Sequence, residues 1–234
     1  MVAPSEVLRR LYREQLEQRP ADDYLRQHGQ PAFLESTTRV FRFYESYLPS
    51  TGRVLDWGCR HAPDACLIRV RHPELEVDGC DVFEADEYPV FFQFARLRYQ
   101  RLRDTVRLPY ADATFDAVVA SGVLEHVPMD YESLKEIYRV LRPEGSLVVT
   151  YLPNRASVEE WSRRRRSREP HVRLYSLSGL RGLLLHTGFR PLVIGYQTRL
   201  DALRENSPLA WLRFSGIHHL TACLCAIASR TAYL

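Results

Sequence analysis

From Arg53 onward the chain alternates short, uninterrupted apolar runs with stretches of helical spacing, and this alternation limits the fold more than any other feature. The runs are RVLDWG, LEVDGCDV, FDAVVASGV, GSLVVTYLP and RPLVIGYQT. A strand wetted on one side would alternate apolar with polar residues. Runs like these are buried on both faces, as in a parallel sheet covered by helices. Between them, PDACLIRVRHP, DYESLKEIYRVLRP and SLSGLRGLLLHTG carry helical spacing and stop at proline or glycine. The predicted architecture is α/β: a doubly wound, mostly parallel sheet with helices on both faces and right-handed crossovers.

Two flanks depart from this texture. Residues 5–30 are charged and helix-prone, with Val7, Leu8, Leu11 and Leu16 on one stripe, and a second helix is predicted from Phe33 to Tyr47, stopped by Pro49 and Gly52. At the other end, Leu209, Leu212, Leu220, Leu224 and Ile227 can share a helix face, with Trp211 and Phe214 nearby. The reading divides the chain into an N-terminal helical cap (1–50), a central domain (51–200) and an amphipathic helical tail (201–234). The tail is expected to pack on the domain, to form a homodimer contact, or to lie in a membrane interface.

The composition removes several classes. A net charge of +3 gives no global nucleic-acid footprint, so a nucleic-acid partner is disfavoured. The five cysteines are odd in number and form no C-x-x-C pair, which argues for a reducing compartment and against a disulfide framework or a zinc site; no metal is expected. The N-terminus becomes charged at once, and no run of 18 apolar residues occurs. The expectation is a cytoplasmic protein, peripheral at most to the inner face of a membrane.

In a doubly wound sheet, ligands bind at the carboxyl ends of the strands near the switch point. The first strand ends at Asp56, and Gly58 lies in the turn that enters the next helix, where the lack of a Cβ lets backbone approach a ligand. The second strand ends in Asp81, 25 residues after Asp56 (81 − 56), where an acid can accept from both hydroxyls of a ribose. DTVRLPYADATFDAVVASGVLEHV follows, and then the helix, turn and strand of EIYRVLRPEGSLVVTYLPN.

Taken in order, LDWGC, CDV, DTVRLPYADATFDAVVASGVLEHV and VLRPEGSLVV resemble the class I S-adenosylmethionine-dependent methyltransferases. The likeness is strongest to the subgroup with the quinone C-methyltransferases and many small-molecule and sugar O-methyltransferases. It covers residues 53–199, roughly two thirds of the chain, and includes YSLSGLRGLLLHTGFRPL before the last two strands. It implies a seven-stranded sheet and S-adenosylmethionine as cofactor, with S-adenosylhomocysteine as product and no metal. By position it implies that Asp56 anchors the loop and the methionyl amino group, that Gly58 admits the cofactor, and that Asp81 holds the ribose. Asp104 and the Thr105 amide would take the adenine, and Ser121 would face the methionyl end. The family pattern has three glycines in the loop; Arg60 and Ala62 stand at the second and third here. In the benign reading Arg60 keeps ordinary backbone angles and pairs with the methionyl carboxylate or a nearby acid. In the other, the cofactor site is weakened or lost and the protein is a non-catalytic binding or scaffold subunit.

Methyl transfer from a sulfonium is an in-line displacement, and a hydroxyl acceptor also needs a proton acceptor. His126 and His171 are the candidates for that role. The segment 154–176 covers the acceptor side in this family. Here it holds Trp161, Arg163 to Arg166, Arg168, Arg173 and Tyr175, of which Trp161, Arg166, Arg173 and Tyr175 are the candidate acceptor contacts. The arginines are read either as a solvated face or as contacts to an anionic acceptor, such as a phosphorylated or nucleotide-linked sugar, or to acidic lipid headgroups.

Overall fold

A computed structural model describes residues 3–104, 106–165, 173–198 and 222–232. Helices α1 (Pro4–Gln18), α2 (Asp23–His28) and α3 (Pro31–Tyr44) lead through a short 3-10 turn into β1 (Gly52–Trp57). Then follow α4 (Pro63–Arg71), β2 (Leu75–Asp81), α5 (Pro89–Ala95), β3 (Arg98–Arg101), β4 (Phe115–Ser121), α6 (Asp130–Val140) and β5 (Leu141–Leu152). The chain closes with α7 (Val158–Arg165), α8 (Leu177–His186), β6 (Phe189–Thr198) and β7 (Ala222–Arg230).

One seven-stranded sheet runs in the order β3-β2-β1-β4-β5-β7-β6. β7 alone among these is antiparallel to its neighbours β5 and β6. Alternate residues of the central strands serve two cores. Val54, Val77, Ala117, Val119, Val148 and Ile227 meet α1, α3, α4 and α5, whereas Leu55, Val118, Ala120, Leu147 and Val149 meet α6 and α8. Burial on both faces is why the sequence shows unbroken apolar runs.

Two elements were hidden by their composition. β3, Arg-Tyr-Gln-Arg, is an edge strand that among the described residues pairs only with β2, and it carries no apolar run. α5 is a single stretch of seven residues with proline at its start. The N-terminal stretch is broken where Pro20 cannot continue α1, and Asp22 restarts the helix by accepting from the Leu25 amide at 2.9 Å.

The expected helical tail is corrected over residues 222–230, which form β7. Leu224, Ala226 and Ala228 face one core and Ile227 the other, all fully buried. The spacing Leu220, Leu224, Ile227 satisfies a helical period as well as a strand filled on both sides, so periodicity alone could not separate them. The rest of the expected tail, residues 201–221, lies outside the described residues. Ile227→Ala should lower unfolding stability by about 2–5 kcal/mol, the cost of a cavity in a packed core, in urea titrations. A loss below about 0.5 kcal/mol, typical of surface sites, would place this segment outside the sheet.

Candidate active site

β1 pairs with β2 on one side and β4 on the other, so the winding of the chain reverses between β1 and β4. Such a switch point is where doubly wound sheets bind ligands, and the loop 58–62 leaves the end of β1 there.

The loop has the shape of a glycine-rich turn with two glycines replaced. Gly58 has φ +67°, and a Cβ there would lie 2.5 Å from a methyl of Val123. Arg60 and Ala62 also adopt left-handed angles, with φ 43° and 57°. The expectation of ordinary angles at Arg60 is therefore corrected. Such angles cost an L-residue about 1–2 kcal/mol each. The end of β2 supplies the compensation. Cys80 carbonyl accepts from the amides of Gly58 at 2.8 Å and Cys59 at 3.3 Å, and the Asp81 carboxylate accepts from the Arg60 amide at 2.8 Å. Ala62, whose amide reaches the Cys59 carbonyl at 2.6 Å, then caps α4 ahead of Pro63.

Asp56 and Asp64 form a buried pair of acids at one end of this loop, 2% and 5% exposed. Asp56 accepts from the Ala65 amide at 3.2 Å, which places it at the positive end of α4. Asp64 accepts from the hydroxyls of Tyr44 and Ser121, and Ser121 in turn accepts from Thr150 at 2.9 Å. Burial raises the pKa of both carboxyls above 3.8, and the negative charge of Asp64 raises that of Asp56 further. A bound cation would reverse that effect. At the other end, Asp81 uses one oxygen for Arg60 and the other for the Val82 amide at 2.6 Å. Burial raises its pKa while these two bonds oppose the rise. A carboxylate has about four acceptor positions, so two remain for a diol. The donor and acceptor set thus suits a ligand with an ammonium or sulfonium at one end and a ribose at the other.

The other expected residues fall in three groups. Asp104 is exposed and one of its oxygens caps a turn, accepting from the Val106 and Arg107 amides at 2.7 and 2.8 Å, which lowers its pKa. His126 has a side chain 64% exposed, with Nε2 3.9 Å from the buried carboxylate of Glu125. Trp161 is 58% exposed, and Arg165 stacks over its ring at 4.6 Å. Arg173 and Tyr175 are committed to the protein itself. Arg173 donates to the carbonyls of Val127 and Pro128, and Tyr175 to Leu124 and Asp130, so both brace the segment after β4 rather than face an acceptor. Thr105, Arg166, Arg168 and His171 lie outside the described residues, as do the side chains of Arg163 and Arg164.

Sequence reasoning missed Asp64, Tyr44 and His61. An acid in the first turn of a helix is ordinary and gives no signal of its own. His61, 2% exposed, meets the Tyr12 hydroxyl through Nε2, while its Nδ1 has no hydrogen-bond partner among the described residues. Burial depresses its pKa well below 6.5, which keeps the ring neutral.

A protein-family model described as a methyltransferase domain matches residues 13–193. The chain belongs to that family. It is 29% identical over 209 residues to the 27-O-demethylrifamycin SV methyltransferase of Amycolatopsis mediterranei, covering 80% of this chain and 74% of the relative. To the demethylmenaquinone methyltransferase of Deinococcus radiodurans it is 33% identical over 117 residues, spanning about half of that relative's length (48%) and 48% of its own. In structure the chain is similar to a geranyl diphosphate methyltransferase solved with S-adenosylmethionine, at TM-score 0.64 and 16% identity, over 91% of this chain and 92% of that one. It is also similar to the [4+2]-cyclase SpnF, at TM-score 0.60 and 19% identity, over 83% and 81% of the two chains. At such identities the likeness establishes the fold.

The acid pair makes a pH-dependent prediction. With folded pKa values above 3.8, the native state binds more protons than the unfolded chain, so stability falls as pH rises from 3.8 through the folded values. Asp64→Asn should therefore raise the melting temperature of the ligand-free protein at pH 8. A relief of about 1 kcal/mol corresponds to roughly 2–4 °C at this chain length. The gain should shrink toward pH 4 in paired calorimetric scans; a gain that is constant with pH would contradict the assignment.

Proposed function

We propose that the protein transfers the methyl group of S-adenosylmethionine to an oxygen of a small-molecule acceptor. The observation that carries this reading is the turn 58–62 at the end of β1, with the buried acids Asp56 and Asp64 flanking it and Asp81 holding the Arg60 amide. In this reading Asp81 accepts from the ribose hydroxyls, Gly58 lets the backbone close on the methionyl chain, and Asp56 with Asp64 balances the positive charge. When bound, the cofactor supplies an electrophilic methyl on a sulfonium whose charge disperses during transfer. The work of the chain is then to align the donor and acceptor and to exclude water. Tyr12, Tyr24 and Tyr44 of the three N-terminal helices, which reach over the loop and the acids, serve that exclusion. Glu125 and His126 follow β4, and His126 takes the hydroxyl proton and passes it to solvent.

The names of the relatives support a small-molecule acceptor, and those for the 27-O-demethylrifamycin enzyme and an O-methyltransferase of Pyrenophora dematioidea favour oxygen. A phosphorylated or lipid-linked sugar acceptor rests on the arginines of 163–168, since Arg173 is committed elsewhere. No helix among the described residues is long and apolar enough to cross a membrane.

Titration calorimetry with S-adenosylmethionine and S-adenosylhomocysteine should give micromolar binding. Asp81→Ala should weaken it at least tenfold, the loss expected from about 1.5–3 kcal/mol of charged hydrogen bonds. A folded wild-type protein that binds neither would contradict the proposal and favour the non-catalytic binding role.

A further inference from the structure

Arg60 departs from the glycine pattern of its own loop, and the structure shows what its side chain does instead. The guanidinium lies 3.4 Å from the centre of the Tyr24 ring in α2 and 4.9 Å from that of Phe83, just beyond β2. Its Nε donates to the Tyr88 hydroxyl at 3.5 Å. Its backbone amide, meanwhile, holds the Asp81 carboxylate. One residue thus joins three segments: the cofactor loop, the N-terminal cap and the chain that leaves β2. A second tie links the last two. Arg19 donates to the Glu87 carbonyl at 2.8 Å and lies over the Tyr88 ring at 5.5 Å. Beside Arg60, the buried His61 packs edge-on against Tyr12, Tyr24 and Tyr88.

We propose that Arg60 is a positioning residue that couples docking of α2 to the orientation of Asp81, so that cap closure and cofactor binding favour each other. The inference rests on the cofactor reading above. A planar guanidinium between two aromatic faces is held by cation–π attraction that an ammonium on a flexible stem cannot reproduce geometrically. Anything that steadies Asp81 through its remaining acceptor positions also steadies the Arg60 amide, and with it the side chain that holds Tyr24. Coupling of this kind is reciprocal: the factor by which a docked cap raises cofactor affinity is the factor by which cofactor favours docking. The left-handed backbone at Arg60 is the cost of placing that side chain, since glycine would be relaxed there and would hold nothing.

The test is hydrogen exchange of peptides spanning residues 19–30, with and without S-adenosylhomocysteine, combined with calorimetry on Arg60→Gly, Arg60→Lys, Tyr24→Leu and the Arg60→Gly/Tyr24→Leu double variant. Arg60→Gly relieves the backbone strain and Tyr24→Leu leaves the loop untouched, so each is expected to fold, which thermal melting checks. In the wild type, ligand should slow exchange in α2. In both single variants that slowing should largely vanish and affinity should drop on the order of tenfold, within the range typical of linked sites. The double variant should lose little more, because the Arg60–Tyr24 contact that both changes break is the one that carries the coupling. Arg60→Lys should restore only part of the protection. Single variants that match the wild type in affinity and in ligand-dependent exchange overturn the coupling while leaving the cofactor reading intact. A wild type that binds no ligand overturns the cofactor reading and the coupling with it.

Discussion

The last two residues of β2 hold the candidate site in shape. Cys80 offers its carbonyl to the amides of Gly58 and Cys59, and Asp81 offers its carboxylate to the amides of Arg60 and Val82. Those acceptors oppose the relaxation of Arg60 from a left-handed angle that side chains disfavour, as the Cys59 carbonyl does at Ala62. The same contacts fix where α4 begins and hence where Asp64 and the capping bond to Asp56 fall. The glycine pattern is therefore replaced by hydrogen bonding, and the loop keeps its course while gaining a side chain that reaches the cap.

The opposite end of the candidate site is built against stability. Burial raises the proton affinity of both carboxyls, Asp64 raises that of Asp56 further, and the hydroxyls of Tyr44 and Ser121 compensate at Asp64 only in part. A protein selected for stability alone would not retain this arrangement. It becomes favourable when a positive group enters beside the acids, as the sulfonium and ammonium of the proposed cofactor would. In the proposed reading the acid pair and the Asp81 end take the two ends of one ligand, a cation at one and a diol at the other.

Much of the frame was legible in the sequence because its cause is local. Strands buried on both faces leave continuous apolar runs, and Asp56, Gly58 and Asp81 fall at strand ends that those runs define. What escaped depended on tertiary context. β7 fills both cores with residues whose spacing also fits a helix, and β3 is a polar edge strand. The role of Asp64 appears only when Tyr44 from α3 and Ser121 from β4 converge on it. Arg60 was noticed as a departure, but its partners Tyr24 and Phe83 are 36 and 23 residues away in sequence, and no local pattern could name them. Arg173 and Tyr175 carried the opposite lesson. Their residue types suggested recognition of a ligand, and the fold uses them to fasten its own loop.

The most direct measurement is a crystal structure of the protein with S-adenosylhomocysteine at saturating concentration. The account predicts ligand at the switch point between β1 and β4, its ribose hydroxyls on the Asp81 carboxylate and its amino group toward Asp56 and Asp64. Arg60 and Ala62 should keep positive φ angles, with Arg60 still stacked on Tyr24. Ligand bound elsewhere, or a loop that must unwind at Arg60 to admit it, would contradict the claim that hydrogen bonding from β2 has replaced the missing glycines.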